Sequence, residues 1–254
     1  MCIRDRANTY TYLGGQTVQT GITSTSPVKR TLQQRLDEQV SIKSFGAAGD
    51  GSDQTVAIQR AIDQLYINSS TKGTEESRAV LYFPPGTYKI TSTIYIPPFA
   101  SIVGAGKDKT KFNVTNNVVV FQTVNESSTP GNYANDSSST TINQPRQIVM
   151  KDFTVATTQT TQPVLKLQSC KMSNFENIRI TGPWTTGTAI TRANAGLELS
   201  SLSNVVCTQE NKFDHVSVNG MSVGVVSDDD VYNNHFHCCY FTNLGQGVQF
   251  GQNT

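Results

Sequence analysis

An all-β stack of parallel coils, a β-helix, is the fold this sequence predicts, and two observations carry the prediction. The first is a repeat. The hexapeptides MKDFTV from Met150, FENIRI from Phe175, FDHVSV from Phe213 and FHCCYF from Phe236 share apolar first, fourth and sixth positions. Each is followed by a second short apolar segment, at Pro163, Gly196, Gly224 and Gly247. Phe213 and Phe236 stand 23 residues apart, as do Gly224 and Gly247. A fixed period of this size with short strands means a solenoid whose coils stack and bury one continuous core. The second observation is the stretch from Val40 to Gly106, which holds one amphipathic helix and several short strands split by prolines. A doubly wound sheet needs helices between successive strands, so that alternative is set aside.

Taken in order, the chain opens on MCIRDR, which reads as a translated sequencing-adapter remnant and is left out of fold reasoning. Residues 7–39 read as an adapter or linker. Ala7 to Pro27 is rich in Thr, Gly, Ser and Gln and reads as extended or poorly ordered. Leu32, Leu36 and Val40 recur at helical spacing and predict a short helix over 28–39. Val40, Ile42 and Phe45 predict a strand, and Gly46, Gly49 and Gly51 then predict turns that a side chain would obstruct. Asp53 is placed to cap a helix whose apolar stripe is Ile58, Ala61, Ile62 and Leu65. Strands are expected at Val80 to Phe83, Tyr88 to Ile90, Ile94 to Ile96 and Ser101 to Val103. The polar, Ser/Thr-rich segment 125–146 reads as a solvated insertion between coils. Phe175 and Phe213 stand 38 residues apart, so that coil carries a second insertion, mostly between Pro183 and Asn194. The pattern still repeats where the sequence stops, and the expectation is a domain over 40–254 truncated on its C-terminal side.

The residues Phe45-Gly46-Ala47, Gly49-Asp50-Gly51, Thr55, Ala57-Ile58, Ala61-Ile62, Phe83-Pro84-Pro85-Gly86-Thr87-Tyr88 and Gly104-Ala105-Gly106 carry a resemblance. In order and spacing they resemble the N-terminal segment of the pectate-lyase-like right-handed β-helix superfamily. That group includes rhamnogalacturonase/epimerase-like proteins and phage tailspikes. One departure is visible: the family usually carries two acids before the helix threonine, and here Asp53 is followed by Gln54. The resemblance implies a right-handed, single-stranded parallel β-helix with a short N-terminal capping helix that plugs the first rung. It also implies a phage tailspike or tail-associated protein, a homotrimer held to the tail or baseplate by its N-terminal region, which binds a bacterial surface polysaccharide, with or without depolymerising it. The alternatives are a bacterial extracellular polysaccharide lyase or glycoside hydrolase, and a shaft or adhesin without catalysis. The expected location is the virion, or the extracellular space for the enzyme.

Composition narrows the field. A net charge of +1 with 15% charged residues gives no argument for a nucleic-acid or membrane partner. No apolar run approaches the roughly 18 residues of a membrane span. Five cysteines without CxxC spacing read as buried free thiols rather than a metal site, and no cofactor is expected beyond calcium at an acidic cluster.

The alignment also assigns directions. The third hexapeptide position holds Asp152, Asn177, His215 and Cys238, and Asn, Asp and His tolerate left-handed backbone best, so a bend is expected there. His215 is therefore read as a bend residue. The outward second position stacks Lys151, Glu176, Asp214 and His237; the outward fifth stacks Thr154, Arg179, Ser217 and Tyr240. Glu176 and Asp214 would be neighbours, with Arg179 close to both. Two carboxylates so placed suit glycosidase chemistry, one of them raised in pKa to serve as general acid. The plainer reading is a solvated face with Arg179 neutralising two acids. Asp228, Asp229 and Asp230 form a second acidic cluster, a candidate catalytic or calcium site or simply a turn. Arg179, Tyr240, Trp184 and Tyr133 are the candidate carbohydrate contacts.

Overall fold

A computed structural model describes residues 9–11, 29–31, 39–67, 79–134 and 136–251. Its strands are almost all parallel. The chain passes alternately between two sheets, each new strand pairing with the one laid down a repeat earlier. The larger sheet orders Gln39–Ser41, Val80–Phe83, Ser101–Gly104, Val149–Thr157, Asn174–Thr181, Lys212–Asp214 and His235–His237. A branch of it runs through Asp50–Asp53, Gly86–Ile90 and Thr110–Val114 into the second half of Val149–Thr157, and ends on Ser217–Asn219 and Tyr240–Thr242. The smaller sheet orders Ile94–Ile96, Phe121–Thr123, Leu165–Gln168, Ala195–Ser200, Val223–Ser227 and Gln246–Phe250. One curled, parallel-stranded body results, with its apolar side chains inside. No helix among the described residues is long and apolar enough to cross a membrane.

The repeat register is the one the hexapeptides predict. Met150 lies opposite Phe175, Phe175 opposite Phe213, and Phe213 opposite Phe236. In the smaller sheet Leu165 pairs with Leu197 and Leu197 with Val225. Val164, not Pro163, therefore stands opposite Gly196, a one-residue correction to the expected alignment. First, fourth and sixth positions are buried in the first three hexapeptides, as in Phe175, Ile178 and Ile180 or Phe213, Val216 and Val218, whereas in the last one Phe236 is exposed and Cys239 and Phe241 are half-buried. Along the core axis Phe175, Phe213 and Phe236 stack face to face, with ring centroids 5.0 and 4.6 Å apart. Identical side chains in register give each ring the same neighbour above and below, which is the packing unit of a stacked sheet.

Bends mark where each pass turns. Asp152, Asn177, His215 and Cys238 all hold positive φ, between 49° and 65°, in the column expected to be left-handed. Asn177 also donates to the Asp152 carboxylate at 2.6 Å, so the bends are tied across the stack. A second left-handed column, Phe99, Gln147, Met172, Glu210 and Asn233, was not foreseen, because only Asn233 belongs to a type that favours that region. There, inter-strand hydrogen bonds hold the backbone: Phe99 N–H donates to Arg146 O, and Met172 N–H to Gln209 O. Ladder bonds of this kind over-determine a local conformation that the residue alone disfavours.

The helix Thr55–Ile62 (α1) buries Ile58, Ala61 and Ile62 in the main core and continues as a π-turn over Asp63–Ile67 that buries Tyr66 and Ile67. Asp53 accepts from the Thr55 N–H and hydroxyl, which supplies the expected cap. Gln54, the departure from the family pattern, is buried; its amide accepts from Ala48 N–H and donates to Asp50, tying the glycine turn together. A second acid in its place would have no N–H to give Asp50. Gly49 sits at φ 74°, and a Cβ there would lie 2.9 Å from the Tyr88 ring.

Three expectations are corrected. Val40 to Phe45 is a strand only to Ser41; Ile42–Phe45 is a 3-10 turn whose carbonyl at Lys43 is taken up by the left-handed Gly46. Lys29–Thr31, assigned to a short helix by its spacing, instead pairs antiparallel with Thr9–Thr11, where a ladder satisfies the backbone of this isolated segment; residues 32–38 lie outside the described residues. The 125–146 segment is not a free excursion. Asn125, Ser128 and Gln144 are buried, and Arg146 pairs with Glu126 at 2.7 Å.

The thiols divide similarly. Cys170 and Cys207 are buried as expected, and burial pushes the Cys170 thiol up to about 12. Cys238 is exposed, because its left-handed position turns the side chain outward. In a Cys2→Ser background, a maleimide near neutral pH should label one thiol per chain rapidly, at Cys238. Comparable labelling of native Cys170 would contradict this packing.

Candidate functional site

The outward column is in register as the sequence indicates: Lys151 pairs with Glu176, Glu176 with Asp214, and Asp214 with His237. The fifth-position column, Thr154, Arg179, Ser217 and Tyr240, is equally regular. The structure does not bring Arg179 to the acids. Its Nη1 pairs with Asp108 Oδ1 at 2.7 Å. The left-handed bend between second and fifth positions turns the two columns onto different facets, and Arg179 reaches back over the Thr154 side to the turn that carries Asp108.

Asp214 is the hub of its column. Its Oδ1 lies 2.6 Å from His215 Nδ1 and 2.9 Å from His237 Nδ1, and its Oδ2 lies 3.3 Å from Lys212 Nζ. Hydrogen bonds from His237 hold its carboxyl well below the usual carboxylate range, with His215 and Lys212 adding to the effect. A carboxylate so held accepts protons poorly, so Asp214 is not the member of the Glu176/Asp214 pair whose pKa is raised. His215 is a bend residue, as read, and also a member of this cluster, which backbone pattern alone did not reveal. The signal was present in the register, which sets His237 one strand beyond Asp214.

The other candidates are dispersed. Asp228 pairs with Arg192 from the 183–194 insertion. Asp230 Oδ1 accepts from the Tyr232 hydroxyl at 2.7 Å and its backbone carbonyl from Ser201. Two carboxylates committed to separate partners do not converge on one cation. Trp184 Nε1 donates to Ala189 O within its own insertion, and Tyr240 is exposed at the far facet.

A cleft missed in the sequence lies beside α1. It encloses about 590 Å³ and is lined by Gln59, Arg60, Asp63, Ser92, Tyr95 and Tyr133, among others. Tyr133 comes from the 125–146 segment and stacks on Tyr95, with centroids 4.3 Å apart and planes at 18°. Its hydroxyl donates to Asp63 at 2.8 Å; burial first, and this bond second, push its pKa up to about 12. Gln59 accepts from Tyr95 N–H and donates to Asp63, which fixes the floor. The three parts are remote in sequence, so no local pattern announces the cleft.

Comparison with known proteins bears on this arrangement. The model of one family, rhamnogalacturonase A/epimerase, pectate lyase-like, matches residues 39–254. The chain belongs to that family. A glucan 1,3-beta-glucosidase of Cochliobolus carbonum is 39% identical over 66 residues, which is 26% of this chain and 7% of that protein. Among solved structures, tailspike protein 3 of bacteriophage CBA120 is similar over 97% of this chain and 38% of its own, at 14% identity and a TM-score of 0.50. ORF18 of Geobacillus virus E2 is similar over 87% of this chain and 42% of its own, at 20% identity and a TM-score of 0.42. The chain thus spans well under half the length of each.

Proposed function

We propose that this chain is a right-handed, single-stranded parallel β-helix that forms the shaft of a phage tailspike and binds a bacterial surface polysaccharide. The observation that carries the reading is the Tyr95–Tyr133 cleft. A cavity of about 590 Å³ with an aromatic pair, a carboxylate, an amide and a guanidinium on its walls has the make-up of a saccharide site. Aromatic rings cover the apolar face of a sugar while polar side chains fix its hydroxyls. The tailspike likeness across nearly the whole chain and the polysaccharide-directed names within reach of the family support it. In this reading three copies stand side by side and the N-terminal region meets the tail.

A second reading, an extracellular polysaccharide lyase or hydrolase, is favoured by one observation, the adjacent pairing of Glu176 and Asp214 on an outward face. In-register strands lie about 4.8 Å apart, a separation compatible with paired-carboxylate chemistry. Titration calorimetry of the chain against bacterial capsular polysaccharides and laminarin tests both. Binding is expected for at least one glycan, and Tyr133→Ala should weaken it at least about 10-fold, roughly 1.4 kcal/mol. Tyr133→Phe should keep most of the affinity, since the ring remains. Binding unchanged in Tyr133→Ala would remove the cleft from the account. Reducing ends or unsaturated uronates that disappear in Glu176→Gln would favour the enzyme.

A further inference from the structure

The Asp214 cluster has a donor set, with its two histidines, that the Tyr133 cleft does not use. Asp214, His215 and His237 each offer one ligand atom, and the three atoms lie within 4.8 Å of one another. Two are imidazole Nδ1 atoms aimed at a single carboxylate oxygen. The rings stand 76° apart in plane with centroids 6.0 Å apart, so their nitrogens converge while the ring faces stay apart. The fold sets this geometry in two steps. The left-handed backbone of His215 folds its ring back onto its neighbour, and the parallel register delivers His237 from the next strand.

We propose that Asp214, His215 and His237 form a surface site for a divalent transition ion of the zinc, nickel or copper class. Two imidazoles and one carboxylate are the ligands such borderline ions take, whereas calcium and magnesium prefer oxygen. Three protein ligands on an exposed facet leave coordination positions for water or an anionic group. Binding needs no redox step. The ion takes the Nδ1 lone pairs, each neutral imidazole carries its proton on Nε2, and Asp214 binds through Oδ1. Lys212 keeps its contact with Oδ2 and orients the carboxylate from behind. Cys238 Sγ, 3.5 Å from His237 Nε2, lies on the other side of that ring and is outside the set.

The test uses untagged chain in metal-free, non-coordinating buffer, titrated with zinc and with nickel. One site per chain with a micromolar dissociation constant is expected. His237→Ala and His215→Ala should each weaken it at least about 10-fold, while His235→Ala and Cys238→Ser leave it unchanged, with circular dichroism as the check on folding. Copper should broaden the imidazole NMR signals of His215 and His237 before those of His235. The proposal is overturned by an absence of binding at millimolar metal, by affinity that survives His237→Ala, or by affinity that depends on Cys238. Glycan binding at the Tyr133 cleft is read separately, so failure of one leaves the other standing.

Discussion

Phe213→Ala should destabilise the protein by about 3–5 kcal/mol, the range for removing a fully buried aromatic side chain from a core that cannot collapse around the gap. Phe213 is completely buried and is sandwiched between Phe175 and Phe236. Neither neighbour can close the space, because the backbone hydrogen bonds of the larger sheet fix the rise between strands. The lost ring also sits at the junction that couples one repeat to the next. Urea unfolding followed by tryptophan fluorescence and circular dichroism would measure the loss. The two signals should coincide, since one shared core unfolds as a unit. Phe236→Ala, at the partly exposed last ring, should cost clearly less. A loss below about 1 kcal/mol for Phe213→Ala would mean that the repeats do not share one cooperative core.

Asn211→Ala should cost about 2–4 kcal/mol although it removes no apolar surface, because buried polar groups left without partners carry their full desolvation cost. Asn211 is fully buried. Its Oδ1 accepts from Ser173 N–H at 3.0 Å, and its Nδ2 donates to Cys170 O at 2.8 Å and to Asn234 Oδ1 at 2.9 Å. Cys170 O retains Gln209 N–H as a partner, whereas the Ser173 N–H loses the acceptor Asn211 supplied. Asn234→Ala, one repeat on and half-exposed, should cost less. If the two variants cost the same, the asparagine pair is not the corner support described here, and solvent satisfies Ser173 in its absence. Neither variant should alter metal or glycan binding, which keeps stability and function separable.

Much of this was legible because a parallel stack repeats its own environment. The hexapeptide period placed Met150, Phe175, Phe213 and Phe236 in one column, and the pleat then fixed which neighbours face outward. Spacing alone places Lys151, Glu176, Asp214 and His237 side by side. The bend at Asp152, Asn177 and His215 was legible from residue type, since Asn, Asp and His are the side chains that accept left-handed backbone most readily. The cap at Asp53 and the apolar stripe of α1 followed from short-range spacing for the same reason: cause and effect lie within one turn of helix.

Other features belong to the tertiary structure alone. The second bend column, with Phe99, Gln147, Met172 and Glu210, is imposed by inter-strand hydrogen bonds on residues that do not favour it. Arg179 follows Asp108, 71 residues away, because the bend rotates its facet away from Glu176 and Asp214. Tyr133 reaches Asp63 across 70 residues and closes a cleft that no local pattern encodes. By itself, then, the sequence determined the period, the core face and the first bend, all of which depend on neighbours at fixed short offsets. The structure decided which outward side chains meet, because a long side chain on a bent facet chooses its partner by direction and reach, and those exist only once the strands are stacked.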